Sequence, residues 1–251
     1  MTYCVGMLIA DGLVMIADTR TNAGVDNISS YRKLHTLASA EDRIVMAATS
    51  GNLSVTQSAL SLLAEGLPGK DESAPPRRIA DMPTMFRVVQ LIGEAVHEAR
   101  SELESTLQGS EINTDVSLLV GGRIGGEPLH LYLVYSQGNF IECREETPYL
   151  QIGEHKYGKP ILDRALNYNT PLSEAVKVGL ISFDSTMRSN LAVGRPLDLI
   201  VVPGDGTKPV VQRRIEEDDP YFNDLSVRWG MLLSDARDCV PEPPFMHERN
   251  D

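Results

Sequence analysis

The N-terminal part of the chain consists of short apolar runs separated by turn residues. Thr2–Ile9 and Leu13–Ala17 are apolar and rich in β-forming residues, and Asp11-Gly12 between them is a tight-turn signal. This pattern predicts a β-hairpin. The following segment, Thr19–Ser30, is polar and contains glycine and asparagine, so it is predicted to be a loop.

The next segments predict a second hairpin followed by two helices. Lys33–Leu37 and Arg43–Thr49 are the strands of that hairpin. Asn52–Glu65 has leucines at helical spacing, and the apolar positions from Met85 to Ala99 follow the i, i+3, i+4, i+7 pattern of a long amphipathic helix. The proline-rich stretch Pro68–Pro83 between these helices is predicted to be a loop.

The remainder of the chain shows the same two periodicities. Gly121-Gly122 and Gly125-Gly126 follow the first strand of this part and predict a hairpin turn. Predicted strands are Asp115–Val120, Leu129–Tyr135, Phe140–Cys143, Pro148–Ile152, Leu197–Val202 and Val210–Ile215. Predicted helices are Tyr157–Tyr168, Leu172–Asn190 and Asp224–Ala236. Runs of strands followed by runs of helices, without strict alternation, favour an α+β fold over a doubly wound parallel sheet.

Length and charge narrow the class of protein. The 251 residues correspond to one domain or two small ones, and they can bury a core without disulfides or metals. The formal net charge of −12 argues against a nucleic-acid binder, which needs a basic surface for phosphates. No apolar run reaches the length of a membrane helix. Three widely spaced cysteines without metal-ligand spacing favour a reducing, cytoplasmic compartment.

Common catalytic signatures are missing from the sequence. It contains no GxSxG elbow, no phosphate-binding GxxxxGK[ST] loop and no HExxH zinc motif. The histidines and cysteines show no ligand spacing, so neither a metal nor a cofactor is expected.

The N-terminus is the strongest candidate for chemistry. No targeting segment precedes the first predicted strand, so we expect the chain to enter structure at once. Residue 2 is small, which generally permits removal of Met1, and removal would place a free α-amine on Thr2. A threonine hydroxyl needs a base to become a nucleophile, and the amine of the same residue is such a base.

Three further residues are predicted to support this site. Asp18 ends the second strand of the first hairpin, beside the start of the strand that follows Thr2. Lys33 begins the next strand, where its ammonium would disfavour protonation of the amine and Asp18 would hold it in place. Gly51 ends the fourth strand just before a helix, where its amide can face a developing oxyanion.

The combination of these motifs resembles the proteasome β-type N-terminal nucleophile hydrolases, from Thr2 to about Val202. The matching segments are Thr2-x-x-Val5-Gly6, Asp18-Thr19-Arg20, Lys33, Ala48-Thr49-Ser50-Gly51, Leu118-Leu119-Val120-Gly121-Gly122 and Gly153 before a helix. The start Met-Thr-Tyr-Cys-Val-Gly and the segment Ala17–Asp26 are most similar to the bacterial Anbu group, the ancestral beta-subunit proteins.

The resemblance implies a fold and a set of roles. The fold would be a four-layer α-β-β-α sandwich of two antiparallel sheets, in one domain over 1–251 with a C-terminal extension from about residue 218. The resemblance makes Thr2 the nucleophile, Asp18 and Lys33 its charge pair, and the Gly51 amide the oxyanion hole. Cleft or supporting positions would be Arg20, Thr21, Asn22, Thr49 and Ser50.

Two positions depart from the proteasome pattern. Glu154 stands where the family has a serine after the glycine that corresponds to Gly153. The fourth helix ends with Ser189-Asn190 instead of an Asp-x-x-Ser motif. The auxiliary part of the site is therefore expected to differ, with Glu154 and Ser189 as its candidate members.

Three functions remain open from the sequence. The first is a threonine-type peptidase within a self-assembled chamber, and the second is a ring-forming scaffold with little or no peptidase activity. The third is an amidase acting on a small amide, because one fold hosts several substrates. The resemblance implies a homo-oligomeric ring or open spiral, with a dodecamer among the expected sizes, and any ATPase would be a separate chain. The apolar residues of the last helix are expected in the core, with a subunit interface as the alternative: Trp229, Met231, Leu232 and Leu233.

Overall fold

A computed structural model describes residues 2–22, 28–69, 71, 73–106 and 112–246 of the chain, without the side chains of Asn22 and Ile28. Its packing divides the chain into two units, 1–217 and 218–251. The strands of the first unit are β1 Tyr3–Ile9, β2 Gly12–Asp18, β3 Arg20–Asn22, β4 Ile28–Ser30, β5 Leu34–Ala40, β6 Arg43–Gly51, β7 Val116–Ile124, β8 His130–Tyr135, β9 Phe140–Glu142, β10 Tyr149–Gly153, β11 Leu197–Pro203 and β12 Val211–Ile215. Its helices are α1 Leu53–Glu65, α2 Met85–Thr106, α3 Lys159–Ala165 and α4 Leu172–Ser189.

The first unit is a four-layer sandwich. One antiparallel sheet has the strand order β10-β1-β2-β11-β12, and the other has the order β5-β6-β7-β8-β9. Helices α1 and α2 pack on the second sheet, α4 packs on β1 and β2, and α3 packs on α4. The predicted α+β class and α-β-β-α sandwich are therefore confirmed.

Alternation of side chains along the strands produces two apolar layers. Leu13, Met15 and Met46 are fully buried between the two sheets. The opposite face of β6 contributes Val45 and Ala47 to a second core, which includes the buried face of α2. Because a strand shifted by one residue would move the side chains of one apolar layer into the other, the packing of both layers fixes the strand registers around the site.

Glycines that were predicted to form a hairpin turn lie instead within a strand. Gly121 and Gly122 belong to β7, and the turn itself contains Gly125, with a φ of +56°. A Cβ on Gly121 would lie 2.7 Å from Leu13 Cδ2, and one on Gly122 would lie 2.0 Å from the carbonyl oxygen of Ile44. The glycines therefore permit neighbouring strands to approach closely, and a sequence pattern that indicates a turn does not distinguish this role.

Two other predictions were wrong in detail. The segment 19–30 is not only a loop, because it contains β3 and β4, which pair as a short antiparallel ribbon. Residues 23–27 of this segment lie outside the described part of the chain. The helix predicted over 157–168 is shorter, because α3 begins at Lys159 and ends at Ala165, after which Leu166 has an extended conformation.

The second unit contains the helix α5, Pro220–Asp238. The Asp219 carboxylate caps its start by accepting a hydrogen bond from the amide of Phe222. Met231, Leu232 and Leu233 are 62%, 58% and 51% exposed, so the expectation that they are core residues was wrong. None of the helices in the described part of the chain combines the length and the apolar character needed to cross a bilayer.

Candidate active site

Thr2 directly precedes β1 and is held through its main chain. Its carbonyl oxygen accepts a 2.6 Å hydrogen bond from the amide of Glu154, and Tyr3 pairs with Gly153 in the neighbouring strand β10. Tyr3 is fully buried, with its hydroxyl 2.7 Å from Gln151 Nε2 and 3.0 Å from Ser182 Oγ. The residue after Thr2 is therefore an anchor, while Thr2 itself remains partly exposed.

A buried ion pair lies beside this anchor. Lys33 Nζ donates to Asp18 Oδ1 at 2.8 Å and to the carbonyl oxygen of Arg20 at 2.6 Å. The same carboxylate oxygen accepts a 3.0 Å hydrogen bond from the amide of Tyr3. Asp18 thus connects the lysine to the strand that follows Thr2, as the sequence predicts.

The surroundings of Asp18 act on its ionisation in opposite directions. Burial raises the pKa of the Asp18 carboxyl above its ordinary value, and the charge and hydrogen bond of Lys33 oppose that rise. Backbone amides of Tyr3 and Gly194 also favour the ionised form. The ionised state of Asp18 therefore depends on these partners, and removal of Lys33 would leave its negative charge without a compensating positive charge.

The amide of Gly51 points toward the lysine side of strand β6. Asn52 donates its amide to Asp115 on the β7 side, whereas Thr49 donates to the carbonyl oxygen of Lys33 on the opposite side. Amide direction alternates along a strand, so the Gly51 N–H points to the same side as that of Thr49. Pairing of β5 with β6 extends only to Leu34, opposite Ala48, which leaves this amide facing the cleft.

The start of helix α1 adds positive electrostatic potential beside the Gly51 amide. The Asn52 side chain accepts a 3.1 Å hydrogen bond from the amide of Val55, so Asn52 caps the helix and the helix begins at Leu53, two residues after Gly51. A helix N-terminus carries partial positive charge, which stabilises a nearby anion. Gly51 and the start of α1 together form a candidate oxyanion site.

These elements surround a cleft of about 490 Å³. It brings together most of the predicted site residues: Thr2, Thr21, Lys33, Thr49, Ser50, Gly51 and Glu154. Asp18 lies below it as the partner of Lys33. The Asn22 side chain, predicted for the cleft, lies outside the described part of the structure.

Two predicted residues lie away from the cleft. The Arg20 guanidinium donates to the carbonyl oxygen of Leu191 at 3.0 Å, so only its main-chain carbonyl supports the site, through Lys33. Ser189 is exposed at the end of α4 and does not line the cleft. The residue at the end of α4 that contacts a cleft residue is Asn190, the neighbour of Ser189, and its Nδ2 donates a hydrogen bond to Glu154 Oε2 at 3.2 Å.

Several cleft residues were not among the predicted site residues. They are Leu53, Thr56, Gly153, His155 and Lys156. Leu53 and Thr56 are the first-turn residues of α1, and the others follow the end of β10. Pairing of β10 with β1 brings the second group beside Thr2, and only the proteasome resemblance indicated Gly153. Among the described residues, no group of three potential metal ligands is placed to hold an ion.

Gly153→Ala is expected to displace Thr2. Gly153 has a φ of +80°, and a Cβ there would lie 1.9 Å from the carbonyl oxygen of Thr2. We expect a loss of about 1–3 kcal/mol in the free energy of unfolding by urea, because the left-handed backbone and the contact are both unfavourable. The matched control is Gly126→Ala, where a Cβ would meet no described atom within 4 Å. Equal stability of the two variants would contradict this role for Gly153.

Comparisons with known proteins show the family of the whole chain. No protein-family model matches the chain, and a search of curated proteins also finds no match. Among solved structures, Anbu (ancestral beta-subunit) from Yersinia bercovieri is 43% identical with a TM-score of 0.86, covering 96% of this chain and 98% of that one. Anbu from Hyphomicrobium sp. strain MC1 is 42% identical, with a TM-score of 0.86 and coverage of 96% and 99%. The Anbu complex from Pseudomonas aeruginosa, solved as a helical assembly, is 42% identical, with a TM-score of 0.89 and coverage of 98% and 100%. At this identity over nearly the whole of each chain, the protein belongs to the proteasome-like Anbu family.

Proposed function

We propose that the protein is an N-terminal threonine hydrolase that cleaves amide bonds in peptides. The observation that carries the proposal is the buried Lys33–Asp18 pair, which is hydrogen-bonded to the strand directly after Thr2 and contributes its lysine to the cleft. A buried charge pair is costly to maintain, so its place beside a potential nucleophile favours a chemical role.

The chemistry follows from these groups once Met1 is removed. The α-amine of Thr2, with an ordinary pKa of about 7.7–8.0, accepts the hydroxyl proton as Oγ attacks the substrate carbonyl carbon. Lys33 favours the neutral amine, and the Gly51 amide donates to the oxyanion. The protonated amine then gives its proton to the leaving amine, which leaves an ester on Thr2. Water then gives a proton to the same amine and attacks the ester carbonyl carbon. The amine returns that proton to Thr2 Oγ1 as the acyl C–O bond breaks, which releases the acid and restores Thr2.

Assembly of identical chains is the second part of the proposal. The P. aeruginosa relative forms a helical assembly, and we infer a homo-oligomeric ring or spiral for this chain. Exposed apolar side chains on α5 support self-association: Tyr221, Val227, Met231, Leu232 and Leu233. We place the assembly in the cytoplasm, with peptide or amide substrates and any ATPase supplied as a separate chain.

A scaffold with little peptidase activity is the second candidate, and the Glu154–Asn190 contact favours it. The proteasome pattern has a serine at the position of Glu154. Glu154 lines the cleft, and its Oε2 accepts a 3.2 Å hydrogen bond from Asn190. A negative charge near the developing oxyanion would oppose the reaction that Gly51 promotes. A small-amide hydrolase would share the nucleophile and differ only in the substrate that the cleft accepts.

The dependence on a free amine separates the hydrolase from the scaffold. A chain made with a removable peptide in front of Thr2 has no α-amine on that residue. We expect no hydrolysis of a fluorogenic peptide panel while the N-terminal extension is present. After the extension is removed and intact mass shows that Thr2 is the first residue, we expect the panel to be hydrolysed. Equal turnover in both states would contradict the proposed base. No turnover in either state would favour the scaffold.

A further inference from the structure

Glu154 lies beside Thr2 at the end of the ladder that joins β10 to β1. Tyr3 pairs with Gly153, and at the next step the amide of Glu154 donates to the carbonyl oxygen of Thr2 at 2.6 Å. Gly153 approaches Thr2 closely, since a Cβ there would lie 3.3 Å from Thr2 Cβ. Thr2 and Glu154 both line the cleft, so the Glu154 side chain shares one space with the residue that the proposed chemistry uses.

The Glu154 carboxylate is held by a neutral partner. Asn190 Nδ2 donates to Glu154 Oε2 at 3.2 Å, and this orientation of the amide follows because Asn190 Oδ1 accepts a 3.0 Å hydrogen bond from the amide of Ala192. An ionised carboxylate can accept about four hydrogen bonds, so the contact leaves capacity for another donor. Among the residues that the structure describes, no lysine, arginine or histidine forms an ion pair with Glu154.

Thr2 lies between this carboxylate and the buried lysine. The strand order β10-β1-β2 puts β1 in the middle, with Glu154 after β10 on one side and Asp18 at the end of β2 on the other. Asp18 holds Lys33 on its own side of Thr2. Removal of Met1 therefore creates an α-amine with the lysine on one side, which disfavours protonation, and a carboxylate on the other, which favours it.

We propose that the Glu154 carboxylate binds the α-amine of Thr2 and positions it as the base for the Thr2 hydroxyl. The inference rests on the proposed function, because it requires a free amine on residue 2. The protonated amine supplies the positive partner that Glu154 lacks in the described part of the chain, and Asn190 keeps the carboxylate at the cleft. As the amine accepts the hydroxyl proton, positive charge develops beside the carboxylate and is stabilised by it.

This role of Glu154 has a pH dependence that repulsion of the oxyanion does not have. A carboxylate near an amine raises the pKa of the amine, and the amine is a base only in its neutral form. Turnover therefore rises with pH through the pKa of the amine, and loss of the Glu154 charge moves this rise to lower pH. Repulsion between Glu154 and the oxyanion would instead change the rate equally at every pH at which Glu154 is ionised.

The other groups around the amine are the same in every chain that is compared. The Asp18–Lys33 pair faces the amine from β2 and the start of β5. His155 and Lys156 face it from the segment after β10 and are exposed. The cleft residues from β3, β6 and α1 have uncharged side chains: Thr21, Thr49, Ser50, Gly51, Leu53 and Thr56. A difference between the unmodified chain and a Glu154 variant therefore reports the charge of Glu154.

Glu154→Gln removes the charge and retains the size of the side chain, and its matched control is Glu102→Gln, at an exposed glutamate of α2 outside the cleft. Assembled full-length chains without Met1 are compared from about pH 6 to about pH 10 at constant ionic strength. One readout is kcat/KM for a fluorogenic peptide. The other is the rate at which trace acetic anhydride labels the α-amine of Thr2, measured by mass spectrometry of the N-terminal fragment. We expect both midpoints to fall by about one pH unit in Glu154→Gln, because Glu154 is half-buried, and to stay unchanged in Glu102→Gln.

The labelling profile needs no turnover, so this inference and the proposed function can fail separately. A lower labelling midpoint in Glu154→Gln, in a protein that hydrolyses none of the peptides, would contradict the hydrolase and still support the contact between Glu154 and the amine. Turnover with unchanged midpoints in Glu154→Gln would overturn the contact and leave the hydrolase in place. A different plateau rate at an unchanged midpoint would also overturn it, because the carboxylate would then act on the oxyanion. Equal shifts in both variants would do the same, since the effect would then come from the net charge of the chain.

Discussion

Thr2→Ala is expected to reduce peptide hydrolysis by at least about a thousandfold, because it removes the proposed nucleophile but leaves the α-amine and the fold. The free energy of unfolding should change by less than about 0.5 kcal/mol, since Thr2 is partly exposed and is held through its main chain. The measurement is turnover of a fluorogenic peptide panel by chains whose mass shows removal of Met1.

Thr2→Ser is the matched control for this experiment. Serine retains a hydroxyl on the same backbone, so its loss of turnover should be much smaller than that of the alanine variant. Undiminished turnover by the alanine variant would assign the chemistry to another residue. Loss of turnover together with a large loss of stability would show that Thr2 acts through the fold, because a nucleophile need not stabilise the sandwich.

The sequence predicts the centre of the site better than its edges. Asp18, Lys33 and Gly51 are placed by hairpin geometry, since strands of known direction bring their ends together. The contact between Glu154 and Asn190 joins the end of β10 to the end of α4, which are far apart in the chain. No local periodicity encodes such a contact, so only the folded chain identifies Asn190 in place of Ser189.

The fold shows the same division between local and long-range information. Hairpins and amphipathic helices follow from patterns of a few residues, and they were predicted with small errors at their ends. The turn predicted at the glycines of β7 was wrong, because glycine is required both in turns and where strands approach closely. A Cβ on Gly121 would meet Leu13, which belongs to the other sheet, so the reason for this glycine appears only after the sheets have packed.

The second large effect is expected from separating the buried charges at the site. Asp18 is fully buried and Lys33 is 6% exposed, and their atoms are 2.8 Å apart. Lys33→Met removes the lysine charge and leaves an unpaired carboxylate, so the free energy of unfolding should fall by about 3–5 kcal/mol. Asp18→Asn leaves the opposite charge unpaired while its side-chain oxygen still accepts from the Tyr3 amide.

The double variant Asp18→Asn with Lys33→Met decides whether the pair stabilises the fold or serves the reaction. With both charges gone, the desolvation cost is also gone, so the double variant should be more stable than Lys33→Met alone. Its peptide hydrolysis should remain as low as that of either single variant, because nothing then favours the neutral amine of Thr2. Urea unfolding and turnover are measured on the same preparations. Recovery of turnover along with stability would show that the pair is structural, whereas recovery of stability alone assigns its charges to the chemistry at Thr2.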